Sequence, residues 1–154
     1  MSITGALSHI DISVGYPEQS IPFYETLLTS LGYKRWQVDL PEFHADTPRR
    51  ASWVLKYPDG GWFGIEVRPA REDARDRKYD RYEPGPHHMA FYAESPKVVD
   101  EVHEKMTAIG AVILDAPFDY SGQKGYSEGY YAVFFEDPDG QKLEVMSLPT
   151  DTLM

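Results

Sequence analysis

The sequence contains no cysteine. This absence excludes a thiol nucleophile, a disulfide framework and thiolate metal ligands. A metal site in this chain must therefore be built from imidazole and carboxylate groups. Such groups suit borderline or hard divalent ions, among them Zn, Ni, Co, Mn and Fe(II).

Basic charge is also scarce, because 15 Lys and Arg stand against 25 Asp and Glu and leave a formal net charge of −10. Proteins that bind nucleic acid through phosphates need a basic face, so we expect no nucleic-acid partner. No apolar run approaches the roughly 20 residues of a membrane span, and no N-terminal stretch has the form of a signal peptide. We therefore expect a soluble cytoplasmic protein with no membrane partner.

What the sequence does contain is a weak repeat with a period near half of its 154 residues. The segments that begin at Leu7 and Pro86 have similar patterns and align His9 with His88. Alternating apolar residues predict that each segment is a β-strand. A helix pattern follows each of these strands.

Apolar residues at helical spacing define the two helices. The first is predicted from Ser20, as its N-cap, to Leu31, with Pro22 in the first turn. Ser95 and the proline after it predict the start of the second helix. Its apolar stripe consists of Val99, Val102, Met106 and Ile109.

Three β-rich segments follow each helix. They are Tyr33–Val38, Ala51–Tyr57 and Trp62–Arg68 in the first half, and Ala111–Leu114, Tyr130–Phe135 and Lys142–Leu148 in the second. A Pro-Asp-Gly turn, typical of hairpins, joins the last two segments of each half. The pattern predicts an α+β protein of two tandem βαβββ modules.

The predicted modules are residues 1–70 and 86–154, and a charged segment, residues 71–85, joins them. Mixed charge runs are usually solvated, so we interpret this segment as an exposed linker. The alternative is a lid that brings Arg75, Arg77 or Arg81 over a site.

Strand alternation predicts which side chains share a face. His9 and His88 on the opening strands, and Glu66 and Glu144 on the last strands, are all expected on the sheet face opposite the helices. His87 would face the other way. If the halves pair about a pseudo-twofold axis, two imidazoles and two carboxylates converge on one divalent ion.

Four segments resemble the glyoxalase/bleomycin resistance/dioxygenase group, the vicinal oxygen chelate superfamily. They are His9-Ile-Asp-Ile-Ser-Val, Phe23-Tyr-Glu-Thr-Leu-Leu, Gly85-Pro-His-His-Met-Ala-Phe and the run from Gly129 to Glu144. The resemblance implies a cup-shaped, partly closed mixed sheet with a metal inside. It also implies a small-molecule substrate bound through two adjacent oxygens, and metal ligands at His9, Glu66, His88 and Glu144.

This His-Glu-His-Glu pattern is similar to the glyoxalase I branch. The resemblance implies a lyase or isomerase like lactoylglutathione lyase, in which Glu66 or Glu144 transfers a proton through a metal-bound enediolate. Arg35, Arg49 and Arg50 are candidates to bind the glutathione carboxylates. We also expect a homodimer.

Two alternatives stay open. One is an Fe(II) extradiol-type dioxygenase, a branch that uses two His and one Glu, with Tyr130 or Tyr126 as an acid near the metal. The other is a metal-free small-molecule binding or resistance protein. The transfer of Glu66 is the weakest, because two more residues separate it from its turn than separate Glu144 from the second turn. A bulge or a longer hairpin is expected to absorb that difference.

Overall fold

The first half of the chain builds one sheet and its covering helix. The computed structural model describes residues 5–36, 40–44, 49–58 and 60–149. The elements of this half are β1 (His9–Val14), α1 (Pro17–Ser30), β2 (Lys34–Trp36), α2 (Pro41–His44), β3 (Ala51–Lys56), β4 (Trp62–Pro69) and a 3₁₀ turn at Glu72–Ala74. Val38, expected in the second strand, and Asp59 of the first turn lie outside the described residues.

The second half repeats this order. Its elements are β5 (Met89–Tyr92), α3 (Pro96–Ala108), β6 (Val112–Asp119), β7 (Tyr131–Glu136) and β8 (Lys142–Ser147). The sheet orders are β1-β4-β3-β2 and β5-β8-β7-β6. In each sheet the first strand pairs in parallel with the last, and the other pairs are antiparallel. The predicted α+β class with two βαβββ modules is confirmed.

The chain divides into two units, Met1–Arg77 and Lys78–Met154. We call them the N-terminal unit and the C-terminal unit. Their boundary lies inside the charged segment 71–85 that the sequence predicted as a linker. Among the described residues, no helix has the length and apolar character that crossing a membrane requires.

Helix α1 begins earlier than the sequence pattern predicted. It starts at Pro17, so Ser20 is not its N-cap and is instead fully buried within the helix. Proline is favoured at the first helical position because its missing N–H has no partner there in any case. Pro22 consequently lies inside the helix, where it removes one backbone hydrogen bond. The predicted apolar face is nevertheless buried, with Tyr24, Leu27 and Leu28 at 0% exposure.

Helix α3 begins where the sequence predicted, with Ser95 as N-cap and Pro96 at the first position. Its stripe is buried at Val99, Val102 and Met106. The prediction that Ile109 is the fourth residue of this stripe is wrong, because Ile109 is 48% exposed. The helix ends at Ala108, and the left-handed φ of +82° at the glycine after Ile109 turns the chain away before another buried position is reached.

The two Pro-Asp-Gly turns close hairpins of equal length. The Tyr57 N–H donates to the Gly61 carbonyl at 2.7 Å, and the Asp137 N–H donates to the Gln141 carbonyl at 3.0 Å. The glycine of each turn has a positive φ, +95° in the first and +90° in the second. Glycine is required there because other L-residues are strained in that region.

A further turn glycine, Gly129, provides a test of packing in the C-terminal unit. Its φ is +76°, and an added Cβ would lie 2.6 Å from Cγ of Pro149. Gly122 has the same φ of +76° but open space around it. We expect Gly122→Ala to cost about 1–2 kcal/mol of unfolding free energy for the backbone alone. Gly129→Ala should cost about 1–3 kcal/mol more through overpacking.

Urea unfolding of the two variants measures this difference. Equal midpoints for Gly122→Ala and Gly129→Ala would show that the contact with Pro149 relaxes without cost.

Candidate metal and substrate site

The open face of the N-terminal sheet carries His9 and Glu66. Strand β1 alternates exposed His9 and Asp11 with partly buried isoleucines. In its pairing with β4, His9 lies beside Gly64 and Asp11 lies beside Glu66. Because side chains alternate along a strand, these four positions share one face of the sheet.

The Glu66 carboxylate is held by two neighbours on the same sheet. Arg50 donates to Oε1 from Nε at 2.9 Å and also from Nη2. Ser52 Oγ donates to Oε2 at 2.9 Å. The two charged side chains are largely buried, with 16% exposure for Glu66 and 21% for Arg50. Both carboxylate oxygens are therefore oriented by protein donors.

A cavity of about 560 Å³ opens on this face of the N-terminal unit. Such a volume falls in the range of about 300–1,000 Å³ that is typical of small-molecule sites. Its lining residues come from β1 to β4: His9, Asp11, Trp36, Ser52, Trp53, Val54, Lys56, Trp62, Gly64, Ile65 and Glu66. The lining thus combines indole surface with both candidate metal ligands of this unit.

The C-terminal unit brings His88 and Glu144 together. Glu144 is 2% exposed, although Glu side chains are almost never fully buried without a partner. Nε2 of His88, just before β5, lies 3.2 Å from Oε2 of Glu144. The other oxygen, Oε1, accepts a hydrogen bond from the Tyr130 hydroxyl. His87 stays beside this pair, with its Nδ1 2.8 Å from Nδ1 of His88.

Tyr130, the donor to Glu144, belongs to a cluster of tyrosine rings. Tyr126 stacks on Tyr120 with ring centroids 4.7 Å apart and meets Tyr130 edge-on at 5.0 Å. Burial, followed by the hydrogen bond to Glu144, raises the pKa of Tyr130 well above its usual range. The phenol therefore keeps its proton at neutral pH and acts as a donor to Glu144.

The His–Glu pairs are equivalent in the two units. Glu66 lies two strand positions beyond Gly64, the partner of His9. Glu144 pairs with Ala90, which lies two positions beyond His88. The expected bulge or longer hairpin before Glu66 is wrong, because both hairpin loops contain five residues. The extra two residues instead lengthen the last strand, from six residues in β8 to eight in β4.

The family follows from this repeated arrangement together with a match over nearly the whole chain. Residues 6–145 match the Glyoxalase/Bleomycin resistance protein/Dioxygenase superfamily. The chain belongs to this superfamily.

Three similar proteins match almost the whole chain. The uncharacterized protein YqjT of Bacillus subtilis is 32% identical over 143 residues, which cover 92% of this chain and 98% of YqjT. The crystal structure of a candidate glyoxalase from Bacillus halodurans has a TM-score of 0.72 at 29% identity and covers 95% of this chain and 98% of that chain. Fosfomycin resistance protein FosX from Listeria monocytogenes has a TM-score of 0.59 at 17% identity, with 97% and 98% covered, and shows the shared fold alone.

The donors present fit the divalent metal that membership of the superfamily implies. Each unit offers one imidazole and one carboxylate at the same relative positions, and the chain has no cysteine to compete for a softer ion. The candidate ligands are His9 and Glu66 in the N-terminal unit and His88 and Glu144 in the C-terminal unit. Among the described residues, no group of three or more His, Asp or Glu is arranged to hold a metal ion.

Two of the three arginines considered for glutathione recognition, Arg35 and Arg50, have acidic partners, and so does Arg75, which was considered for a lid. Arg35 pairs with Glu25 of α1 at 3.0 Å and lies over the Trp53 ring, 4.8 Å from its centroid. Arg50 pairs with Glu66. Arg75 of the charged segment packs 4.5 Å from the Tyr16 ring centroid and donates to Glu72 at 2.7 Å. Arg35, Arg50 and Arg75 therefore each have an acidic partner within the N-terminal unit.

Several residues of the site were not predicted from the sequence. Alternation along β3 could have placed Ser52, Val54 and Lys56 on the face of Glu66, because these residues are two apart on a neighbouring strand. Nothing in the sequence pattern indicated that Arg50 would pair with Glu66 or that Trp36 and Trp62 would border a cavity.

Tyr130 gives a direct test of how the Glu144 carboxylate is oriented. Tyr130→Phe removes the hydroxyl that donates to Oε1 and leaves the ring in place. Loss of a hydrogen-bond donor behind a metal ligand typically costs about 10–100-fold in affinity, and we expect a loss of that size. The neighbouring Tyr131 donates to Asp100 at 2.8 Å, away from Glu144, so Tyr131→Phe is the matched control.

Competition with a chromophoric chelator measures the metal affinity of both tyrosine variants. Equal affinities would show that the Tyr130 hydroxyl has no influence on the metal.

Proposed function

We propose that this chain is a divalent-metal-dependent enzyme that acts on a small molecule bearing two adjacent oxygens. The observation that supports it is the repeated pair, His9 with Glu66 and His88 with Glu144, at the same relative strand positions in both units. Two such pairs, from one chain or from two chains of a homodimer, supply two imidazoles and two carboxylates. That donor set suits Zn, Ni, Co, Mn or Fe(II) and leaves positions for substrate oxygens.

The reaction that fits best is a glyoxalase-type proton transfer, catalysed by a lyase or an isomerase. The bound ion supplies Lewis acidity, which makes the carbon next to a substrate carbonyl more acidic. Glu66 is the residue that takes the proton from that carbon and returns it to the neighbouring carbon. It faces the cavity, whereas Glu144 is buried behind His88 and Tyr130.

Arg50 and Ser52 support this assignment because they position the Glu66 carboxylate. A general base must stay within hydrogen-bond reach of the proton that it removes, so fixing its orientation assists the transfer. Arg50 and Ser52 are thus positioning residues, and Glu66 is the catalytic residue of the proposal.

Solvent-deuterium exchange tests the proposed reaction. The metal-loaded chain is incubated in D₂O with an α-hydroxy carbonyl compound such as glycolaldehyde or lactaldehyde, and NMR follows the hydrogen next to the carbonyl. We expect exchange faster than in the metal-free control. Exchange at the rate of free metal in buffer, with each of these compounds, contradicts the proton-transfer function.

A second candidate, the Fe(II) extradiol-type dioxygenase, draws on the same contacts. If the ion pair with Arg50 keeps Glu66 away from the metal, His9, His88 and Glu144 remain as two imidazoles and one carboxylate. Tyr130 then stands beside the metal ligand Glu144 as a proton donor. Oxygen uptake with catechol by the Fe(II)-loaded chain, without deuterium exchange, favours this candidate.

A further inference from the structure

The cavity of the N-terminal unit has two large apolar side chains at its edges. Trp36 and Trp62 are 53% and 52% exposed. Trp36 ends β2 and lies beside Ser52, and Trp62 begins β4 and lies beside Lys56. Half-exposed indoles on a concave face are unfavourable in water unless a ligand covers them, and they are typical of small-molecule sites.

Between the strand positions of the two indoles the lining residues are small. They are Gly64 and Val54, which pair across β3 and β4, with His9 on the far side of Gly64. A Cβ on Gly64 would lie 3.2 Å from Cζ3 of Trp62 and 3.4 Å from Cβ of His9. Because the glycine has no side chain, the indole of Trp62 can lie against Gly64 next to His9. A flat group in the cavity would therefore meet the exposed part of the Trp62 ring close to His9.

The charges around the cavity favour a single negative charge on the ligand. Asp11 pairs with Arg68 at 3.0 Å, and Glu66 pairs with Arg50. Each of the two carboxylates that line the cavity is therefore paired with an arginine. Lys56 also lines it, and within the described ranges no carboxylate lies within ion-pair distance of this amine. One unpaired cation attracts a monoanion, even in a chain of net charge −10.

We propose that this cavity binds a flat aromatic monoanion, with its ring against Trp62 and its anionic group at Lys56. This inference rests on the proposed function only in one respect, namely that the bound ligand belongs to the class of the enzyme's substrate or product. Binding itself uses indole and amine groups of the N-terminal unit and does not require the metal. Glutathione itself carries two carboxylates and no aromatic ring, so it fits this lining less well.

The test uses 2-naphthoate as the probe, and 2-naphthylmethanol as its neutral counterpart. Isothermal titration calorimetry is done with the full chain, both metal-loaded and treated with a chelator. All three tryptophans of the chain border the cavity, so tryptophan fluorescence gives an independent signal of occupancy. We expect saturable binding of 2-naphthoate in both forms, with weaker binding of the alcohol.

Variants then separate the aromatic contact from the charge. Trp62→Ala should weaken both probes about tenfold or more, and Trp62→Leu, which keeps apolar bulk, guards against a folding defect. Lys56→Gln should weaken 2-naphthoate about fivefold and leave the alcohol unchanged. Lys97→Gln is the matched control. It removes one positive charge from α3, where the Lys97 side chain is 85% exposed, and it should change the binding of neither probe.

Three results would overturn the inference. The first is no saturable binding of 2-naphthoate in either form. The second is binding that survives Trp62→Ala, Trp62→Leu and Lys56→Gln unchanged. The third is binding that occurs only with the metal-loaded chain and does not change in these variants. In that case the carboxylate of the probe contacts the metal, and the result supports the proposed function but not the aromatic site. Conversely, Trp62-dependent binding by a chain that takes up no metal ion even when metal is added supports the cavity and contradicts the proposed function.

Discussion

Replacing both His88 and Glu144 by alanine is expected to remove the stoichiometric metal and leave a folded protein. The two residues supply one imidazole and one carboxylate, half of the proposed donor set. Glu144 is also the most buried of the four, and its side chain is 3% exposed against 36% for His88. Imidazole and carboxylate groups are direct ligands of ions such as Zn²⁺, so losing one of each leaves too few donors for tight binding.

Inductively coupled plasma mass spectrometry of the dialysed protein measures the bound metal, and circular dichroism measures the fold. The matched control changes a His and a Glu that adjoin on α3, in the variant His103→Ala with Glu104→Ala. The control should keep one ion per chain. Undiminished metal in the His88 and Glu144 double variant would contradict the site assignment.

Replacing Glu66 by glutamine is expected to lower turnover far more than metal content. Glutamine keeps the size of the side chain and one oxygen that can bind a metal, but it cannot accept the substrate proton. A positioned proton-transfer group contributes typically about 10²–10⁴-fold to a rate, so exchange should fall by about that factor. The rate of solvent-deuterium exchange is measured with the α-hydroxy carbonyl compound on which the unchanged chain catalyses exchange.

Glu144→Gln separates the two carboxylates. If Glu66 is the base, Glu144→Gln should lose metal affinity and recover exchange when metal is added in excess. Glu66→Gln should recover nothing under the same conditions. Equal recovery by both variants would contradict the role of Glu66 as the base.

Much of the fold could be predicted because the spacing of apolar residues along the sequence indicates strands and helices. The alternation of His9, Ile10, Asp11 and Ile12 determines a strand face, and the repeat of that pattern near His88 indicates a second module. The same alternation placed Glu66 on the open face of its sheet. These features depend on neighbours in sequence, which is why they could be read without a structure.

The parts that could not be predicted depend on contacts between distant segments. The ion pair of Arg50 with Glu66 joins residues 16 positions apart, one just before β3 and one in β4. Tyr130 reaches Glu144 through the register of β7 and β8. The early start of α1 at Pro17 was missed because Ser20 gives an equally good local cap signal. Local patterns carry no information on which of two possible starts packs better.

A crystal structure of the chain, purified without added metal and analysed by anomalous scattering at the absorption edge of the metal found, tests the proposed metal site most directly. We expect one divalent ion bound by His9, Glu66, His88 and Glu144, with the four residues drawn from one chain or from two. An ion bound elsewhere, or a fully folded chain that takes up no ion when soaked with Zn, Ni, Co, Mn or Fe(II), would contradict this expectation.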